Sequence, residues 1–310
     1  MVGGRSVHYS NPMSISTFHG HKTAIYENQF FRLECLTEGG PRIVRLIPAW
    51  TGENLFAEVP DITVPSKTGS FHLHGGHRLL HAPESATYSY LPDDTGLTVK
   101  QYEDGFRLQG PIDPFTHIRK TISIQLSASH PFVVVKHVLE NHGWSSVRLS
   151  PWAVTLMRPG GTAILPQQSG VLDSEDVLPN RRFALWPYSR WDDPRLKLGD
   201  DFILVNSAPN PQPFKVGYFN PHGWLGYFYD DTLFVKRYGV RRNEDYPDYG
   251  SNAEVYTNHR FTEIGSLGPL VELQSKKELV HTETWEAYKE DEIPNDLMGG
   301  KNIKAILAKN

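Results

Sequence analysis

A single cysteine, Cys35, occurs among 310 residues, so no intramolecular disulfide can form. Its neighbours Leu33 and Leu36 predict a strand interior, away from the electropositive cleft a reactive thiolate needs. Charge of one sign is also missing: 31 Lys plus Arg oppose 35 Asp plus Glu, leaving a net charge of −4. No stretch concentrates basic side chains enough to track a phosphate backbone, which argues against nucleic acid as a partner. There is no run of about 18 apolar residues for a membrane span. The first residues, Met1 to Met13, are polar and lack the charged-then-apolar order of a signal peptide. The expectation is a cytoplasmic protein with no membrane partner.

Long helical periods are scarce as well, because 23 prolines and 26 glycines are spread over the whole length. They divide the chain into short apolar runs at spacings of roughly 8 to 12 residues, the punctuation of a sandwich or barrel. The runs predict strands at Phe31–Leu36, Ile43–Ile47, Thr87–Tyr90, Leu97–Tyr102, Phe106–Gln109, Ile118–Leu126, Phe132–Glu140 and Ser146–Arg158. Further strands are predicted at Phe202–Asn206, Lys215–Gly217, Trp224–Tyr229, Thr232–Arg237, Asn252–Tyr256, Leu270–Leu273 and Val280–Tyr288. Fourteen or more strands in one chain of this length call for two large antiparallel sheets packed face to face. The section from Pro159 to Asp201 is the least strand-like and carries Trp186, Tyr188 and Trp191, aromatics suited to stacking on the C–H face of a sugar. The end of the chain, Ile303 to Ala308, reads as a short amphipathic helix or a frayed terminus.

Titratable groups concentrate in two places. His72, His74, His77 and His81 fall within ten residues, with Arg78 among them and Glu84 following. On a strand His72 and His74 point to one face, and Gly75-Gly76 lets the backbone turn or approach a ligand closely. That spacing suits two imidazoles converging on a small molecule. It also suits a metal held by His72, His74 and His77. The forked guanidinium of Arg78 fits a planar anion, so an acidic or phosphorylated sugar is one expected ligand, and packing against Glu84 is its other role. The second place is Asn252 to Glu263, where Glu254 and Glu263 lie close in sequence to Tyr256 and His259. The loop-like Gly265-Ser-Leu-Gly-Pro269 that follows predicts Glu263 at a sheet edge or pocket rim.

These segments carry a resemblance. His72-Leu-His-Gly-Gly76 is similar to the Leu-His-Gly-Gly of aldose 1-epimerases, and Glu254-Val-Tyr-Thr257 to their late Tyr-Thr strand. Gly75-Gly-His-Arg78, His81-Ala-Pro-Glu84, Pro151-Trp-Ala-Val-Thr155, Pro159-Gly-Gly161 and Glu263-Ile-Gly-Ser-Leu-Gly-Pro269 resemble more closely a group of uncharacterised mutarotase-like proteins. The resemblance spans residues 22 to 288, with residues 1–21 as an N-terminal extension and 289–310 as a tail. It implies an all-β protein, a large antiparallel supersandwich of the galactose mutarotase type. It also implies a carbohydrate partner and an exchange at the anomeric centre, in which a carboxylate takes the hydroxyl proton and an acid protonates the ring oxygen. Glu263 would be the base. The second histidine of aldose 1-epimerases has no counterpart in Leu149–Thr155, so His74 or His77 would be the acid. His72, Arg78, His81, Trp152, Trp191, Glu254 and Tyr256 would contact the sugar. No cofactor is expected, and sugar binding without turnover and a metal-dependent isomerase or lyase are the alternatives.

Overall fold

The computed structural model describes residues 14–167, 177 and 179–309. Residues 1–13 of the N-terminal extension therefore lie outside the described residues. Two antiparallel sheets pack face to face, built from 22 strands among the described residues. The first sheet runs in the order Ser14–Phe18, His21–Glu27, Phe31–Leu36, Arg42–Pro48, Gly69–Ala82, Val147–Met157, Thr262–Leu267, Ala253–Thr257, Phe214–Tyr218 and Phe183–Leu185. Glu58–Ser66 pairs additionally with Gly69–Ala82, and Val271–Leu273 with Val147–Met157. The second sheet runs Leu196–Leu198, Phe202–Asn206, Thr162–Pro166, Trp224–Tyr229, Thr232–Tyr238, Glu278–Lys289, Phe132–Asn141, Ile118–Leu126, Gly105–Ile112 and Thr98–Tyr102. This is the β-sandwich of the galactose mutarotase type that the strand pattern and the resemblance predict.

The inner faces close on one apolar core. At its centre Phe56, Phe234 and Trp285 meet edge to face with ring centroids 5.7 to 6.0 Å apart, a geometry worth about 0.5–1.5 kcal/mol per pair beyond the buried area. Cys35 lies fully buried there, and burial pushes its thiol up, as expected of a structural cysteine. Leu297, Met298, Ile303 and Ile306, the last two from the helix Ile303–Lys309, pack onto Ile164, Phe202, Trp224 and Leu233. The apolar spacing at 303 and 306 therefore covers the outer face of the second sheet.

Two local expectations fail. Thr87–Tyr90 is a turn, because Ser85 captures it: Ser89 and Tyr88 donate their amides to the Ser85 carbonyl, and Ser85 donates its own to Ser89 Oγ. Glu263 does not sit at a sheet edge. Thr262–Leu267 is an interior strand between Val147–Met157 and Ala253–Thr257, and the break falls later, at Gly268-Pro269. Gly265 is tolerated mid-strand because the Trp152 indole lies over it: a Cβ there would come within 2.9 Å of Trp152 Nε1.

Candidate functional site

Strand register decides which side chains can meet, since paired residues in adjacent strands share a face. Arg78, Val154, Gly265, Glu254 and Gly217 form one row across the first sheet. Gly76, Leu156, Glu263, Tyr256 and Lys215 form the next. Trp152, two residues before Val154, stands on the same face, with Leu80 and Leu267 beside it. This face points away from the inter-sheet core.

On it the charged groups converge. Arg78 Nη2 donates to Glu263 Oε2 at 3.3 Å, although the two residues are 185 apart in sequence. Lys215 Nζ lies 2.9 Å from Glu254 Oε2 and 3.4 Å from Glu84 Oε2, sandwiched between the Trp186 ring at 4.0 Å and the Trp152 ring at 4.7 Å. Tyr90 donates its hydroxyl to Glu84 Oε1 at 2.7 Å, and Tyr188 packs edge-on against Tyr256. Burial pushes Glu254 up to about 8 against the opposing pull of Lys215. Burial also raises Glu263, opposed by Arg78 and Lys215. Several buried polar atoms here lack a hydrogen-bond partner: Arg78 Nε and Nη1, Trp152 Nε1, and both oxygens of Glu254, which meets Lys215 only as an ion pair. Native proteins leave few such groups, and each asks for a missing partner.

The predicted residues divide by position. Glu263, Glu254, Arg78, Trp152 and Tyr256 come together on this face. His77 and His81 do not, because odd-numbered residues beyond Gly76 in this strand point to the opposite side. His77 is wholly buried between the sheets, and His81 is pushed down to about 4 by burial and the nearby Lys120. His72 and His74 lie before the change of face and gather around Asp94 instead. The chain passes through three consecutive left-handed residues, His74, Gly75 and Gly76, at φ 55°, 108° and 65°, which separates His77 from the other two. The predicted nest of His72, His74 and His77 is therefore corrected: the structure does not bring the three together. Trp191 is 69% exposed on a turn, whereas its loop neighbour Trp186 is half-buried against Lys215. Reasoning from sequence passed over Lys215 and Tyr90. A lysine inside the apolar run Phe214-Lys-Val-Gly-Tyr218 was the available signal, since a lysine is almost never fully buried unless paired.

Beneath the site, between the sheets, a second polar group is fully satisfied. Lys236 Nζ donates to Thr155 Oγ1 at 3.1 Å and to the carbonyls of Ala153 and Ile264, and pairs with Glu283 Oε1 at 2.9 Å. Proton positions follow from the groups of fixed role. His137 Nδ1 must donate to the His281 carbonyl at 3.0 Å, so His137 Nε2 accepts from His77 Nε2 at 2.7 Å, and His77 Nδ1 accepts from the Thr155 hydroxyl at 2.9 Å. Likewise His281 donates to Ser266, which donates to Glu283 at 2.5 Å, and Trp285 donates to the other carboxylate oxygen at 2.8 Å. All three imidazoles are neutral, and burial holds each below its ordinary range.

No family profile matches the sequence, and no curated protein matches it. Solved structures do. A candidate mutarotase from Salmonella typhimurium superposes with a TM-score of 0.57 at 12% identity, over 91% of this chain and 96% of that one. A galactose mutarotase-like protein from Lactobacillus casei gives 0.52 at 10%, over 86% and 100%. A TPR-domain containing protein from Parabacteroides distasonis gives 0.59 at 11%, over 86% of this chain and 47% of that one, so the chain spans about half of that relative. At these identities the likeness defines the fold class, a galactose mutarotase-like β-sandwich, and the face carrying Glu263 has to speak for the chemistry.

Proposed function

We propose that the chain is a sugar mutarotase or epimerase of the aldose 1-epimerase type, with Glu263 as the base. The observation that carries this is the convergence of unpartnered buried donors of Arg78 and Trp152 with the carboxyls of Glu254 and Glu263 on one face walled by aromatic rings. A sugar supplies alternating hydroxyls for such atoms and a C–H face for the rings.

Neither histidine expected as the acid fits beside this base. His77 is on the far side of the sheet with both ring nitrogens committed, and among the described residues no histidine hydrogen-bonds or ion-pairs with Glu263, Glu254, Arg78 or Lys215. The acid we assign is Glu254. Burial pushes its carboxyl up to about 8 against the pull of the Lys215 ammonium, which brings protonation within reach at neutral pH, and it stands diagonally across one strand pair from Glu263, at about 7–8 Å in an antiparallel ladder. In the proposed cycle Glu263 removes the anomeric hydroxyl proton while Glu254 protonates the ring oxygen. The C1–O5 bond then breaks to give the open aldehyde, which recloses on either face with both protons returned. Arg78 orients the ionised Glu263 and keeps two donors for the substrate, which suits an acidic or phosphorylated sugar.

Anomer-exchange NMR across hexoses, uronic acids and sugar phosphates tests the reading. At least one should equilibrate faster with the protein, and Glu263→Gln should reduce that rate about 10²–10⁴-fold. Sugar binding without turnover is the second reading, favoured by the absence of an imidazole at Glu263. It is distinguished by a ligand that raises the melting temperature while its anomers exchange at the uncatalysed rate.

A further inference from the structure

We infer that His72, His74 and Asp94 form a binding site for a divalent transition-metal ion, separate from the Glu263 face. Asp94 reaches both imidazoles with different oxygens: Oδ2 lies 2.9 Å from His72 Nδ1, and Oδ1 lies 3.9 Å from His74 Nε2. One ligand atom from each of the three residues falls within 4.8 Å of the others. The His72 and His74 ring centroids are 5.7 Å apart, and His21, at the start of the strand His21–Glu27, packs edge-on against His74 at 4.8 Å. Two or three imidazoles with one carboxylate are the donor set of Zn²⁺, Co²⁺ and Ni²⁺.

The state of His74 distinguishes this cluster from ordinary surface polarity. Its ring is 5% exposed, yet Nδ1 has no hydrogen-bond partner. Its backbone is left-handed at φ 55°. A buried imidazole with one unpartnered nitrogen, its other nitrogen 3.9 Å from an exposed carboxylate, is short of a partner that the chain does not supply. His72 and Asp94 are about two-fifths exposed, which leaves the ion a path in from solvent. Among the described residues the other group of comparable donors, His77, His137 and Glu283, differs on each point. It is wholly buried, every ring nitrogen of its two histidines is engaged, and the Lys236 ammonium already neutralises Glu283.

The test uses the full chain treated with chelator and then titrated with Co²⁺, followed by calorimetry and by the visible absorption of Co²⁺ bound to nitrogen and oxygen donors. The expected result is saturation at one ion per chain with a rise in melting temperature. His72→Ala and Asp94→Asn, both at exposed positions, should each weaken binding by at least about tenfold, and the remote His130→Ala should leave it unchanged. Three results would each overturn the assignment: no stoichiometric binding to the wild-type chain, affinity unaltered in both His72→Ala and Asp94→Asn, or binding abolished by His137→Gln but retained in those two variants.

Discussion

Replacing Lys236 by methionine removes the only cation from the interior network and leaves Glu283, itself fully buried, without its ion pair. Ser266 and Trp285 would still donate to that carboxylate, but a hydroxyl and an indole N–H do not neutralise it. Breaking a buried pair by removing one partner costs about 3–5 kcal/mol. The carbonyls of Ala153 and Ile264 lose a donor in the same change, which favours the upper half of that range. At about 2 °C per kcal/mol for a large domain, Lys236→Met should melt roughly 8–10 °C below the wild type. The double variant Lys236→Met with Glu283→Leu removes both charges and should recover much of the loss, because a well-packed apolar pair often replaces a buried ion pair at little cost. Thermal melts and urea titrations of the three proteins decide the matter. If Lys236→Met loses less than about 1 kcal/mol, or if the double variant is no more stable than the single, the buried pair is not what joins the two sheets under Glu263.

Acid should destabilise the fold through its buried imidazoles. His77, His137 and His281 are all held below their ordinary range, His137 at about 4 and His281 at about 3, so the unfolded chain binds protons that the folded chain refuses. Their contribution is therefore present above about pH 6.5 and is lost as pH falls below it, by about 1.4 kcal/mol per pH unit for each histidine. Urea midpoints at pH 7.5, 6 and 5 should drop steeply over the last interval, and a flat profile would contradict neutral buried imidazoles. Gly76→Ala should cost about 2–5 kcal/mol, since it forces a left-handed alanine whose Cβ would stand 2.1 Å from the Ile43 carbonyl oxygen. Gly299→Ala, at a similar φ of 61° with no atom within 4 Å, should cost only about 1–2 kcal/mol, and equal losses in urea titrations would refute the steric argument. Lys215→Met should remove the ammonium between the two indoles that pulls Glu254 down, so the Glu254 midpoint should rise and the alkaline limb of the pH–rate profile should move to higher pH; an unmoved limb would refute the assignment of Glu254.

Local information was enough for most strands. The period-two alternation of Ile118–Leu126 and the β-branched run in Phe132–Asn141 marked those elements unaided, and glycine and proline marked many of the breaks. Glu263, Glu254 and Arg78 stood out because they fall in two segments dense in titratable groups, and the family resemblance singled out Glu263 as the base. Which face each one occupies was another matter. It depends on strand parity, and parity is reset wherever a residue turns left-handed, as at His74, Gly75 and Gly76. Nothing in the spacing of His72, His74 and His77 reports that reset, so one cluster in sequence became two places in space, around Asp94 and in the inter-sheet core. Partners such as Arg78 and Glu263, or Lys236 and Thr155, are joined only by sheet order and by the packing of one sheet on the other. The chain's local periods determined that it folds as a β-sandwich, and long-range pairing alone decided which of its charged groups face a ligand and which face each other.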